Sequence, residues 1–264
     1  MTAQLSEFIE ETLSLAGTEL LSRFNSKLKV QMKKDASIVT DADLASEKII
    51  IERIKKYYPD DLILSEEAGL SSQERRVGSA IWIIDPLDGT SNFANNYPYY
   101  CISIGRGIFS AGGEITICEG GIYDPVHKEL FLAERGKGAF CNGRKVQVTA
   151  ERDFSQTFLV TGFYYLQENA LSEQVERFLH VARACQTIRR DGAAALDLAL
   201  VAKGTFDGFW EYGLQPWDLA AGSLLVQEAG GVVNNYFEST FDIESKGIVA
   251  GNRKTVAELQ KLLK

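Results

Sequence analysis

A chain of 264 residues, 45% hydrophobic and 24% charged, is long enough for one large domain or two smaller ones and has the balance of a globular protein with a sizeable core. Its net charge of −8, from 28 basic and 36 acidic residues, argues against a broad electrostatic grip on nucleic acid or an anionic membrane. No uninterrupted apolar run approaches membrane-spanning length.

Leu5, Phe8, Ile9, Thr12, Leu13, Ala16, Leu20 and Leu21 recur at helical spacing and predict a first helix over 5–25. The pattern returns from Asp43 to Tyr58 and stops at Pro59. A short strand, Leu62 to Leu64, runs into Ser65-Glu66-Glu67, and a polar stretch between Gly69 and Gly78 reads as an exposed loop. After residue 98 the period changes. Segments 99–109, 114–123, 128–133 and 137–148 are short, glycine-punctuated and rich in β-branched and aromatic residues, as in an antiparallel sheet. Asp124-Pro125 and Asn142-Gly143 supply turns.

Past Val148 strands and helices alternate. Strands are expected at 158–161, 186–189, 206–210, 231–233 and 247–250, with helices at 171–185, 192–203, 216–229 and from Lys254 onward. The chain thus reads as N-terminal helices and a large antiparallel sheet over 1–150, then a smaller mixed α/β unit over 151–264, with the break near 149–156. Cys101, Cys118, Cys141 and Cys185 form no Cys-x-x-Cys pair, and no signal-peptide pattern is visible. Free buried thiols and a cytoplasmic location are expected. His127 and His180 have no zinc-type ligand spacing and read as ordinary surface or helix residues.

The most informative stretch is Ile81-Trp-Ile-Ile-Asp85-Pro-Leu-Asp88-Gly89-Thr90-Ser-Asn-Phe93. An apolar strand ends in two carboxylates three residues apart, costly to bury unless a cation neutralises them. Pro86 predicts a rigid corner rather than a continuing strand. Gly89 permits close backbone approach, and Thr90 is placed to cap a helix whose free N–H groups would hold an anion. Two hard oxygen ligands beside an anion cradle describe a Mg²⁺-dependent phosphate site. A surface turn needs one such Asp, not two behind a Trp-Ile-Ile run. The Asp-x-Asp-Gly-Thr loop of haloacid-dehalogenase-type phosphatases places its carboxylates two apart and does not fit. Because Mg²⁺ wants more oxygens, Glu66 after its strand and Asp218 after Pro216 are further candidates. Each alone would be a loop acid or a helix N-cap, and Asp43 reads first as a capping residue.

Together, Trp82–Phe93, Glu66-Glu67 and Pro216-Trp-Asp218-Leu-Ala-Ala-Gly222 resemble the inositol monophosphatase family of lithium-sensitive, Mg²⁺-dependent phosphatases. Val39–Asp43, Gly136–Gly143, Ile188–Ala195 and Glu228–Gly231 add supporting motifs in family order. The resemblance implies an α/β fold, a layered α-β-α-β-α sandwich, and a homodimer. It implies two or three Mg²⁺ ions on Glu66, Asp85, Asp88, Asp218 and the Leu87 carbonyl. Gly89 and Thr90 would offer backbone N–H groups to the phosphate, beside Leu87 and Asp88. Glu66 and Thr90 would orient the attacking water, with Asp43 acting through the Thr90 hydroxyl or a further metal-bound water. The alcohol would meet Glu211, Gly192, Ala193, Ala194 and Arg189, near Asp218. In-line displacement by water is expected, since no Cys-x₅-Arg loop is present.

Departures from the family pattern are Ser65, where Gly is frequent, and Ala193, where bacterial relatives commonly carry Ser. The lysine that the resemblance implies near the phosphate would be Lys33 or Lys34, because the spacing to Asp43 differs slightly from the common pattern. Thr90-Ser-Asn-Phe93 resembles the inositol monophosphatase branch rather than the nucleotide branch. Glu211 suits polyol hydroxyls and would repel a second phosphate. The expected substrate is therefore a small phosphorylated polyol, inositol 1-phosphate first. Fructose 1,6-bisphosphate is the alternative, since Arg189 and Arg190 could hold a second phosphate. A protein-interaction role is the rival, because some bacterial family members bind transcription machinery.

Overall fold

The computed structural model describes residues 2–32, 38–72, 75–163 and 168–264. Helix α1 (Thr2–Arg23) is followed by a hairpin of β1 (Val30–Met32) and β2 (Ile38–Thr40), then helix α2 (Asp41–Tyr57). An eight-stranded sheet comprises β3 (Leu62–Ser65), β4 (Gly69–Leu70), β5 (Ala80–Asp88), β6 (Cys101–Phe109), β7 (Ile115–Asp124), β8 (Glu129–Glu134), β9 (Gly138–Cys141) and β10 (Arg144–Lys145). The short helix α3 (Thr90–Ala94) lies between β5 and β6. A second, five-stranded sheet comprises β11 (Phe158–Thr161), β12 (Thr187–Arg189), β13 (Gly208–Tyr212), β14 (Val232–Asn235) and β15 (Gly247–Gly251). Helices α4 (Glu168–Ala182), α5 (Ala194–Ala202), α6 (Pro216–Glu228) and α7 (Arg253–Leu262) are interleaved with it.

Strand alternation sorts these elements into layers, because successive side chains point to opposite faces. Trp82 and Ile84 of β5, with Ile102 and Ile104 of β6, pack against Phe8, Ile9 and Leu13 of α1 and Ile50 and Ile54 of α2. Ile81 and Ile83 face the other way, onto α5 and α6. The same central helices meet Val160, Phe209, Ile248 and Ala250 of the second sheet. Its far face, through Leu159, Trp210 and Val249, meets Val181 of α4 and Val256 and Leu259 of α7. The chain is therefore a layered α-β-α-β-α sandwich with one core cluster running between its two sheets.

Glycines bring α6 close to the first sheet. A Cβ on Gly105 would lie 2.7 Å from Ala220 Cβ, and one on Gly120 would lie 3.0 Å from Ala221 Cα. The first sheet is antiparallel except where β3 runs parallel to β5. The second is mixed, with β12–β11–β13 parallel and β13–β15–β14 antiparallel. Among the described residues, no helix is long and apolar enough to cross a membrane.

Several sequence expectations shift. Proline 86 does not end its strand: β5 runs through it to Asp88, and the pairing slips between Asp85 and Asp88. The Pro86 carbonyl accepts from the Ser46 hydroxyl of α2 at 2.7 Å instead of joining the ladder, and proline has no N–H to donate. The β1–β2 hairpin was not expected, since Val30, Gln31 and Met32 are all exposed and leave no alternating pattern. Cys101 and Cys141 are buried, Cys118 and Cys185 partly so, and all are free thiols. The strand expected at 158–161 is β11, preceded by a short 3₁₀ turn at Phe154–Gln156 that was not expected.

Candidate functional site

The slip in β5 is what brings its two aspartates together. In a regular strand, residues three apart point to opposite faces. Here Asp85 pairs with Ser103 and Asp88 with Cys101, so three steps on β5 match two on β6. The extra residue is a bulge, which restores both carboxylates to one face. That face is the one carrying Ile81 and Ile83, toward α5 and α6.

Glu66 joins them by register. Strand β3 lies parallel to β5 with Ser65 opposite Ile84, and the Glu66 N–H donates to the Ile84 carbonyl at 3.2 Å. Glu66 and Asp85 are thus the next residues on neighbouring strands. Asp218 arrives from α6 as the N3 residue of a capping box, its Oδ2 accepting from the Gln215 N–H at 2.7 Å. It is not the N-cap itself, which is Gln215.

Backbone amides hold the other carboxylates. Asp85 Oδ1 accepts from Leu87 N–H at 3.0 Å. Asp88 Oδ2 accepts from Ala195 N–H at 2.7 Å, in the first turn of α5, with the Cys101 thiol at 3.7 Å. Burial first, then the charges of Glu66, Asp88 and Asp218, push Asp85 well above the ordinary carboxylate range. Asp88 is raised to about 7 by burial, against the opposing amide of Ala195. Asp218 is partly buried as a residue, and its carboxyl is desolvated and raised well up, with Asp88 and Glu66 adding to the effect.

Four acidic residues that share one electrostatic neighbourhood are a hard-oxygen donor set of the kind Mg²⁺ takes. Among the described residues, no three acidic, thiol or imidazole side chains are placed to hold a metal ion as they stand. The fit to a divalent cation rests on donor chemistry: mutual repulsion among buried carboxylates is relieved by a cation between them.

Gly89, with φ of 91°, turns the chain from β5 into α3 and serves as its N-cap. A Cβ there would meet the Tyr99 carbonyl oxygen at 2.9 Å and Tyr100 Cα at 3.2 Å. Only glycine meets both demands. Thr90 is the first helical residue, not the cap. Its hydroxyl lies 2.8 Å from Asp43 Oδ1 and 3.0 Å from the Leu87 carbonyl oxygen, and its single proton serves one acceptor at a time. Asp43 has a second use at its other oxygen: Oδ2 accepts from the Thr40 N–H at 2.8 Å, closing the capping box of α2. Burial raises Asp43, and bonds from Thr40 and Thr90 oppose the rise. One carboxylate thus serves both the capping box of α2 and the Thr90 hydroxyl.

Glu211 lies on β13, beneath Gly162, where any Cβ would overlap its carboxylate at 2.1 Å. Desolvation raises it to about 8, Arg190 lowering it and Asp88 raising it further. Gly192, with φ of 86°, and the buried Ala193 and Ala194 lead into α5. Arg189 is turned elsewhere: its guanidinium lies 4.9 Å from the Phe158 ring centroid and 3.1 Å from Thr187 Oγ1. Of the arginine pair, Arg190 is the one whose charge acts on Glu211. Lys33 and Lys34 lie outside the described residues. Sequence reasoning missed the Ala195 amide and Asn92, whose partners are about 100 residues distant in the chain; no local pattern carries that signal.

The profile of the inositol monophosphatase family matches residues 1–264. An inositol-1-monophosphatase from Synechocystis is 40% identical over 258 residues, covering 97% of this chain and 88% of that protein. The Nus factor SuhB of Escherichia coli K12 is 40% identical over 230 residues, covering 87% and 83% respectively. Among solved structures, the extragenic suppressor protein SuhB from Bartonella henselae superposes with a TM-score of 0.89 at 36% identity, covering 99% of this chain and 98% of that one.

Proposed function

The chain belongs to the inositol monophosphatase family, and from that premise we propose that it hydrolyses the phosphate monoester of a polyol, inositol 1-phosphate before others. Mg²⁺ dependence is a property of the family; to this chain we assign two or three ions, held by Glu66, Asp85, Asp88, Asp218 and the Leu87 carbonyl. When bound, they supply positive charge for the phosphate and lower the pKa of water. The rest falls to the protein. The N–H groups of Gly89 and Thr90 receive phosphate oxygens at the start of α3. Glu66 and the Thr90 hydroxyl orient the attacking water: the hydroxyl donates to Asp43 Oδ1, which leaves its oxygen to accept from that water. Gly192, Ala193, Ala194 and Glu211 receive the polyol, the carboxylate accepting from its hydroxyls.

The observation that carries this reading is the Thr90–Asp43 hydrogen bond of 2.8 Å beside the Leu87 carbonyl. It places a proton acceptor behind a hydroxyl at the edge of the acidic cluster. A cytoplasmic homodimer belongs to the same proposal. The test is phosphate release with Mg²⁺ from inositol 1-phosphate, fructose 1,6-bisphosphate, histidinol phosphate and 3′-phosphoadenosine 5′-phosphate, run beside Asp85→Asn. Turnover led by inositol 1-phosphate and lost in the variant supports the reading. Preference for another ester moves the substrate and keeps the chemistry, and no turnover of any of them removes it.

A second reading has one observation in its favour, the 40% identity to a protein named Nus factor SuhB. A protein-interaction role in a transcription complex would not need the acidic cluster. Survival of partner binding in Asp85→Asn, with hydrolysis abolished, would separate the two roles. The net charge of −8 disfavours direct nucleic-acid binding.

A further inference from the structure

Asn92 of α3 ties together two segments that meet nowhere in the sequence. Its side-chain Nδ2 donates to the Tyr99 carbonyl at 2.7 Å and to the Asp191 carbonyl at 2.9 Å, with the Gly192 carbonyl at 3.4 Å. Three carbonyl oxygens around one nitrogen fix the amide's orientation, since its own oxygen would be repelled there. One acceptor leads into β6. The other two belong to the segment that precedes α5, where Gly192 holds a left-handed φ of 86° that leaves the backbone intrinsically loose.

Tyr99 makes a second rung of the same ladder. Its carbonyl oxygen, besides accepting from Asn92, lies 2.9 Å from where a Cβ on residue 89 would stand. Its hydroxyl donates to Asp197 Oδ1 at 2.5 Å. Asp197 is buried in the first turn of α5. From that turn the Ala195 N–H reaches Asp88 Oδ2 at 2.7 Å. The stretch 88–99 and the segment 191–197 are therefore joined through three side chains of the first, Asp88, Asn92 and Tyr99.

We propose that Asn92 is a positioning residue that fixes the distance between the phosphate-holding turn and the polyol-holding segment, and thereby sets selectivity for esters whose alcohol carries hydroxyl groups. The inference rests on the reading of the site given above. A substrate gripped at both ends gains from a fixed separation, because a small misplacement of one grip costs binding at the other. A substrate that uses only the phosphate grip gains nothing from it. Asn92 touches neither reacting atoms nor, in this scheme, the substrate; it acts through Asp191 and Gly192.

The test uses the full-length protein with Mg²⁺ and the variant Asn92→Asp, which keeps the shape, loses both N–H donors and turns a carboxylate on the carbonyls. Two quantities are read: the ratio of kcat/KM for inositol 1-phosphate to that for phenyl phosphate, and deuterium exchange over 189–197. The ratio does not depend on how much of the variant is folded. The expected result is a fall in the ratio of about tenfold, carried by KM for inositol 1-phosphate, and faster exchange over 189–197. Asn92→Ala, which adds no charge, is expected to move both in the same direction and less far. An unchanged ratio overturns the selectivity claim, and unchanged exchange overturns the latch. Wild-type protein that hydrolyses neither ester would count against the phosphatase reading instead, leaving exchange to decide the latch.

Discussion

Asp43 holds two elements at once: Oδ2 closes the capping box of α2 through Thr40, while Oδ1 accepts from the Thr90 hydroxyl at 2.8 Å. The carboxylate is buried and raised, so its position is dictated by the helix start and its charge is tuned by the site. Asp43→Asn keeps the shape and removes the basic oxygen. We expect kcat to fall by about 100-fold, the range of a lost general base, with KM changed by less than about threefold. The remaining amide oxygen still accepts from the Thr40 N–H, so stability in urea unfolding should change by less than about 1 kcal/mol. A kcat within about threefold of wild type would remove Asp43 from the chemistry and leave it a capping residue.

Asp85→Asn tests the acidic cluster in a way that separates stability from activity. Asp85 is raised by burial and by three neighbouring carboxylates, so without metal its ionised form strains the fold. The amide removes that repulsion at constant volume. Metal-free Asp85→Asn should melt at or above the wild-type temperature, while Mg²⁺-dependent hydrolysis falls by at least about 1,000-fold. Collapse of the metal-free fold would show the carboxylate to be structural.

The same cluster gives stability a direction with pH. Glu211 is raised from 4.5 to about 8 and Asp88 from 3.8 to about 7. A carboxyl raised on folding contributes stability that is complete below its unfolded value and lost as pH rises through its folded value. In EDTA, Tm should therefore fall between pH 5 and pH 8. Mg²⁺ favours the ionised carboxylates, so the Tm gain on adding it should be larger at pH 8 than at pH 6. Equal gains at both values would mean that the metal does not bind Asp88.

The layers of the fold were legible because they follow from periodicity: the helical stripe from Leu5 to Leu20 and the apolar run from Ile81 to Ile84 are what α1 and β5 bury. Asp85, Asp88, Glu66 and Asp218 stood out as acids where apolar elements stop. The bulge that aligns Asp85 with Asp88 was not legible. Pro86 reads locally as a corner, and only pairing with Ser103 and Cys101 shows that β5 continues. Ala195 is likewise unreadable, because its function lies in a backbone N–H that every residue but proline possesses. Its bond to Asp88 spans 107 residues.

Gly105 offers a test of how the second half of the chain delivers Asp218. A Cβ there would stand 2.7 Å from Ala220 Cβ on α6, two residues past Asp218 on the same helix. Gly105→Ala should displace α6 from the sheet, costing roughly 1–3 kcal/mol by overpacking and lowering Tm by about 3–10 °C. Because the displaced helix carries a proposed metal ligand, the Mg²⁺ concentration for half-maximal activity should rise as well. A Tm loss with an unchanged Mg²⁺ requirement would show that Asp218 is placed by its capping box alone.

Ser65 immediately precedes the Glu66-Glu67 pair, and the structure gives its hydroxyl a partner. Its hydroxyl donates to Glu47 Oε1 on α2, and the same oxygen accepts from the Ala68 N–H at 2.9 Å. The two bonds bracket Glu66 and Glu67, pinning the turn after β3 to the helix that carries Asp43. Ser65→Gly removes one buried bond to a carboxylate, worth about 1.5–3 kcal/mol, and loosens the backbone beside Glu66. Since Ser65 touches the turn and not the reacting atoms, the effect should fall on assembly of the cluster. The Mg²⁺ requirement should rise by about fivefold, while kcat at saturating Mg²⁺ stays within about threefold of wild type. Loss of kcat with an unaltered Mg²⁺ requirement would place Ser65 in the chemical step and refute the positioning argument.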